Sequence, residues 1–293
     1  MASLKDIQRK IGGVKKTKQI TKAMNMVASA KLRKAQQRIE QFRPYADKFY
    51  EMLTDLSGRT DTSAHPLLEV REAIKKVVIV LVTADRGLCG SFNVNLITKA
   101  RKLAAEKEAV GKEVEIVCVG KKGRDVMRKQ PWPIRADHVN VMNTFDFTLG
   151  TELGTSLMNG YLNHEFDEVI IVFGKFISFA KQEVVSLRVL PIASEAAEVE
   201  EVQGPASEYI YEPSVEGILA ELLPRFVNVQ IYRGLLDTNA SEHAARMRAM
   251  DNATKNCDEL SKSLTLVYNK ARQSAITTEL MDIVGGAEAL KSA

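Results

Sequence analysis

Along the first part of the chain, alternating steps of three and four residues pass through Leu4, Ile7, Ile11, Val14, Lys18, Thr21, Asn25, Ala28, Leu32, Ala35, Ile39, Phe42, Ala46, Phe49, Leu53 and Leu56. A mainly apolar seam sustained that far marks a coiled-coil helix. At ~1.5 Å per residue the helix is roughly 80 Å long. Lys18, Thr21 and Asn25 interrupt the seam, and Ile20, Met24 and Val27 stand one place earlier, so the expectation is that the stripe drifts around the helix there. Pro44 removes a backbone donor and is expected to kink the helix locally. Ser57-Gly58 reads as its stop, followed by a polar stretch from Arg59 to Pro66.

From about Lys75 the period changes. The run Val77-Val78-Ile79-Val80-Leu81-Val82 is continuously apolar, as expected of a strand buried on both faces. The pattern then predicts a helix over 93–109, a strand over 114–119, a short helical patch over 125–129, a turn at Gln130-Pro131-Trp132-Pro133, a helix over 148–163, and strands over 169–173 and 184–190. Strands alternating with helices imply a largely parallel, doubly wound sheet, a Rossmann-like α/β domain over about 75–192. An acidic stretch from Ala193 to Glu216, with Gly204-Pro205 inside it, reads as a solvated connector.

Helical spacing resumes with Leu219, Leu222, Phe226 and Val229 and continues through Met247, Met250, Cys257, Leu264, Tyr268 and Ala271. A helix ending near Gly285-Gly286 spans on the order of 100 Å. The predicted class is therefore α/β with a long antiparallel coiled coil: an N-terminal arm over 1–58, a central domain with a mainly parallel sheet over 75–192, and a C-terminal arm over 208–286.

Composition narrows the function classes. With 293 residues, 45% apolar and 27% charged, the chain has the makings of a folded protein of about two units. The three cysteines, Cys89, Cys118 and Cys257, form neither a disulfide framework nor a zinc motif. No apolar run is long enough for direct membrane insertion. The first fifty residues hold thirteen Lys and Arg against Asp6, Glu40 and Asp47, so a basic N-terminal arm calls for acidic partners. Nucleic acid fits poorly, because no aromatic interleaving or reader motif accompanies the bases.

The segment Thr83-Ala84-Asp85-Arg86-Gly87-Leu88-Cys89-Gly90-Ser91 lies between strand and helix, where a phosphate loop would sit. It has neither a Gly-Lys-Ser/Thr ending nor a Gly-x-Gly-x-x-Gly spacing, so tight turns with local or intersubunit bonds from Asp85 and Arg86 are the better reading. Cys89 beside Arg86 at a helix start could be a nucleophile. Yet His65, His138, His164 and His243 share no triad spacing with Asp or Ser, so no catalytic, cofactor or metal residues are assigned.

Ile20-Thr21-Lys22-Ala23-Met24, Asp85-Arg86-Gly87-Leu88-Cys89-Gly90, Ser241-Glu242-His243-Ala244-Ala245-Arg246-Met247 and the tail Tyr268 to Leu280 resemble the gamma subunit of F-type ATP synthases. The match covers both arms and the first strand in the right order; Lys15-Lys16, Asn25 and Ser91-Phe92 depart from the common pattern. A cysteine-bearing insertion like that of the chloroplast form is lacking, which implies a bacterial chain. The resemblance implies a non-catalytic rotating shaft inside a ring of alpha and beta subunits, with a foot resting, beside the epsilon subunit, on the membrane c ring. Such a chain is peripheral to the plasma membrane on its cytoplasmic side.

The same resemblance implies partner contacts. Arg272 and Gln273 would bond an acidic loop of one beta subunit, for which the planar guanidinium suits a carboxylate. Lys10, Lys18, Lys22 and Arg33 would form a basic track, with Met24 at a close contact. Tyr209, Tyr211 and Glu212 would meet the c ring, and Arg86 a neighbouring subunit. A solvated helix face, or aromatic packing within the foot for the tyrosines, is the alternative in each case. At the level of the whole chain, the alternatives are a soluble α/β nucleotide-binding enzyme with helical extensions, and a self-associating coiled-coil scaffold.

Overall fold

A computed structural model describes residues 3–57, 65–69, 71, 73–192 and 215–291. The element order is α1 (Leu4–Ser57), β1 (Lys76–Val82), α2 (Phe92–Ala109), β2 (Glu113–Val119), α3 (Lys121–Met127), β3 (Ile134–His138), α4 (Phe147–Leu162), β4 (Glu168–Phe176), β5 (Gln182–Leu190) and α5 (Val215–Lys291). The acidic connector and the stop at Gly58 lie outside the described residues. Two compact units emerge: residues 29–246, and residues 1–28 with 247–293.

In the first unit the five strands run in the order β3-β2-β1-β4-β5. β1 pairs in parallel with both β2 and β4, β2 in parallel with β3, and β5 antiparallel to β4. Alternation along β1 assigns the two cores. Val77, Ile79 and Leu81 pack with Ile170 and Val172 against Phe92, Leu96, Ile97, Ala100 and Ala104 of α2. Val78, Val80 and Val82 face Leu149, Leu153 and Leu157 of α4 and Leu223, Val227, Ile231 and Leu235 of α5, with Ile39 and Phe42 of α1 at the margin. A strand covered on both faces needs no polar alternation, which is why β1 reads as one apolar run.

Several expectations change. β3 follows the expected turn at 130–133 in a stretch for which no strand is expected, because its burial alternates over just five residues and prolines precede it. α3 begins earlier than the patch over 125–129, since Gly120 at φ +97° turns the chain directly out of β2. α5 runs on through Gly285-Gly286 to Lys291, so the glycine pair does not end it. From Phe226 to Ala244 α5 belongs to the α/β unit and is buried on nearly every face, so this stretch of the C-terminal helix also serves as a core helix of that unit.

In the second unit α1 and α5 run antiparallel. Lys18 Nζ lies 2.5 Å from Asp258 Oδ1, the Thr21 and Thr254 hydroxyls are 2.8 Å apart, and Asn25 Nδ2 donates to Met247 O at 2.8 Å. The predicted drift of the stripe is therefore overturned. Thr21 is 8% exposed, whereas Ile20 is 61% and Val27 57% exposed. The seam keeps its register straight through the polar positions because each finds a partner on the facing helix.

Candidate functional site: the paired helices and the loop after the first strand

Two places in the molecule gather polar side chains. One is the interhelical seam. Lys18, expected on an outward basic track, instead reaches across to Asp258, with about two fifths of its side chain exposed. Lys10 and Lys22 are exposed on α1, and Met24 is half-buried. On α5 Arg272 and Gln273 are exposed, while the flanking Ala271 and Ala275 are partly covered. Arg272 lies fourteen residues, about 21 Å at ~1.5 Å per residue, beyond Asp258, so it stands well apart from Lys18 and Lys22. Arg33 is exposed on α1 within the α/β unit. Tyr209, Tyr211 and Glu212 fall outside the described residues.

The other place is the loop after β1. In doubly wound sheets a nucleotide binds at the carboxyl ends of the strands where the strand order reverses, here between β1 and β4. In this chain the loop after β1 is tied up by bonds within the chain itself. The buried Asp85 carboxylate accepts the backbone N–H groups of Lys121 (2.9 Å), Asn140 (2.8 Å) and Met142 (3.0 Å). Ala84 N–H donates to Asn93 Oδ1 at 3.0 Å. From α5, Arg246 Nη2 donates to Gly87 O at 3.1 Å while Nη1 pairs with Glu242 at 2.6 Å. Asp85 thus makes local bonds, tying three segments together, and the Arg86 side chain is left exposed.

The electrostatics agree with a structural role for this loop. Burial pushes the Cys89 thiol up, against the opposing pull of Arg246, so the residue is a poor nucleophile at neutral pH. Burial also raises Glu242, and lowers His243 to about 4 with help from the charges of Arg246 and Lys31. Among the described residues no group of three or more His, Cys, Asp or Glu could hold a metal ion, and no helix is long and apolar enough to cross a membrane.

The family of ATP synthase chains matches residues 3–290. A gamma chain of ATP synthase from Nitratidesulfovibrio vulgaris strain Hildenborough is 64% identical over 291 residues, covering 99% of this chain and 100% of that one. This chain belongs to the ATP synthase gamma-chain family. Gamma chains of Maridesulfovibrio salexigens and Lawsonia intracellularis are 63% and 54% identical over the same span. Among solved structures, the central stalk and c ring of the Tetrahymena thermophila mitochondrial ATP synthase contains a chain with TM-score 0.59 and 25% identity, covering 80% of this chain and 99% of that one. A rotor chain of Euglena gracilis, with TM-score 0.63 and 21% identity, shares the fold.

As a gamma chain the protein is a non-catalytic subunit of a bacterial ATP synthase and part of its central-stalk rotor. Sequence reasoning missed Thr254, Asp258 and the Met247 carbonyl as seam partners. It also missed the polar run on α5 around Glu242, although the motif containing it was one of the four that carried the resemblance.

Proposed function

We propose that this gamma chain turns with a membrane c ring and presents a different face in turn to each of three catalytic beta subunits within a ring of alpha and beta subunits. It acts beside an epsilon subunit, on the cytoplasmic side of the bacterial plasma membrane. The observation that carries this reading is the antiparallel pairing of α1 and α5 through Lys18–Asp258, Thr21–Thr254 and Asn25–Met247. An asymmetric two-helix shaft favours one conformation of each surrounding site at each angle, and differential contact is all that coupling requires.

The contacts proposed for that role are Arg272 and Gln273 with an acidic beta-subunit loop, and Lys10, Lys22 and Arg33 as the outward basic track, with Met24 at a close approach. Lys18 keeps its place in the track only by also holding Asp258. Arg86, exposed at the loop after β1, meets a neighbouring subunit, and Tyr209, Tyr211 and Glu212 meet the c ring. Exposed apolar side chains on the same stretch of α5, among them Leu266, Val267, Leu280 and Met281, support a surrounding protein sleeve. The decisive experiment replaces Arg272 and Gln273 together by Ala in the reconstituted synthase. Lowered ATP-driven proton pumping is expected, and full pumping would overturn the beta-loop assignment.

The rival nucleotide-binding reading loses its site to Asp85 and Arg246. It predicts saturable heat release when the isolated chain is titrated with ATP, whereas the rotor reading predicts none.

A further inference from the structure

Between Asp237 and Arg246, α5 buries Asp237, Thr238, Asn239, Ser241, Glu242 and His243. Burying so many polar side chains on one helix is costly unless each is bonded. Here the bonds go mostly to main-chain atoms of other elements. Thr238 Oγ1 accepts the Gly174 N–H at 3.2 Å, and Ser241 Oγ donates to the Gly174 carbonyl at 3.0 Å, so one residue of β4 is held through both of its backbone groups. Asn239 Nδ2 donates to Met142 O at 2.6 Å in the segment between β3 and α4. Arg246 reaches Gly87 O in the loop after β1.

These side chains project over a wide arc. At ~100° per residue, from Ser241 through Thr238 and Arg246 to Asn239 the bonds cover about 160° of the helix circumference. Gly174 permits the closeness: a Cβ there would sit 2.8 Å from Phe92 and 3.4 Å from the Ser241 Cβ. Apolar packing has no direction, so a helix held by it alone can turn slightly in its bed. Hydrogen bonds weaken steeply with angle, and main-chain targets are fixed by the sheet itself.

We infer that this polar run is an anchoring collar: Thr238, Asn239, Ser241 and Arg246 are positioning residues that lock α5 angularly to the α/β unit, so that torque passes from one to the other without twist. The inference rests on the rotor reading and extends it to residues whose bonds lie within the α/β unit itself.

The test uses the assembled synthase in inverted membrane vesicles, comparing wild type with Thr238→Val/Ser241→Ala, which keeps side-chain shape but removes both bonds to Gly174. Thr238→Ser alone retains the hydroxyl and serves as the rescue variant. ATP hydrolysis and proton pumping are measured together, without and with an opposing proton gradient. The collar predicts near-normal hydrolysis in the double variant, a several-fold lower ratio of pumping to hydrolysis under the opposing gradient, and normal behaviour for Thr238→Ser. An unchanged ratio under load in the double variant overturns it.

If the double variant does not assemble, Thr238→Val alone is read by the angular fluctuation of a stalled rotor tagged on the α/β unit. A broader distribution than wild type supports the collar, and an equal one overturns it. A separate arm omits this chain: pumping without it would sink the rotor reading itself, whereas failure of the collar leaves that reading intact.

Discussion

α5 is one helix with two environments. From Phe226 to Ala244 nearly every side chain is buried, including polar ones that bond to backbone atoms of the sheet and its loops. From Met247 onward the covered side chains form a stripe that includes Met250, Thr254, Cys257, Ser261, Leu264, Tyr268, Ala271 and Ala275, and Leu260, Leu266, Val267, Ile276, Leu280 and Met281 stand exposed. The first stretch therefore serves the folding of its own unit. The second leaves apolar surface for other chains, so its substitutions should register in the assembled machine more than in the stability of the isolated chain.

The sharpest way to break that contrast lies at the sheet. A Cβ at Gly120, where φ is +97°, would meet the Thr83 carbonyl oxygen at 2.1 Å. Backbone must then move, and Gly120→Ala is expected to cost more than about 3 kcal/mol. Denaturant unfolding of the isolated chain reads this directly. Next in size, Asp85→Ala strands three backbone donors, a loss on the order of 3 kcal/mol by the same measurement, because buried unpaired donors keep their full desolvation cost.

A gain comes third. Burial pushes the Asp237 carboxyl up to about 6, from an ordinary value of 3.8, with Arg233 pulling the other way. The folded chain thus holds this proton between those two values while the unfolded chain has lost it. The destabilisation is absent below pH ~4, grows as pH rises, and is complete above pH ~6. Asp237→Asn, whose amide oxygen can still accept the Phe176 N–H, is expected to stabilise by on the order of 2 kcal/mol at pH 7.5 and by nothing at pH 4. Thermal melts at the two pH values measure it. His243, lowered to about 4, has the opposite sign: its neutral burial favours folding fully above its ordinary 6.5, and that contribution is lost as pH falls toward 4.

The smallest effects belong to the second stretch. Thr21→Val with Thr254→Val replaces a bonded pair by an apolar one and should change stability by less than about 1 kcal/mol, since polar seam positions set register more than they stabilise. Leu266→Ser on the exposed face should stay within about 0.5 kcal/mol in the isolated chain. A larger loss there would mean that the stretch is covered within its own unit.

The sequence was most legible where one period ran long. Every seam position from Leu4 to Phe49 is buried or half-buried on α1, and the β1 run is fully covered. It was least legible where tertiary context decides. Lys18, Thr21 and Asn25 looked like a break because their partners lie more than two hundred residues away, and β3 is too short for its alternation to outweigh the prolines before it. The polar run after Asp237 carries no local signal of burial, since nothing nearby in the sequence announces that Gly174, Met142 and Gly87 will supply its partners. Arg272 and Gln273 stood out only through a family resemblance; their exposure on α5 is compatible with contact but does not name the partner.

The central claim is that α1 and α5 form a single shaft that turns as one body and does its work through contacts alone. A cysteine pair at Thr21 and Thr254, where the hydroxyls are 2.8 Å apart, tests this in the assembled synthase with Cys257→Ser as background. Oxidation should link the two helices readily and leave ATP-driven proton pumping at the level of the reduced enzyme. Failure to crosslink, or pumping abolished by the link in an intact complex, would contradict the account.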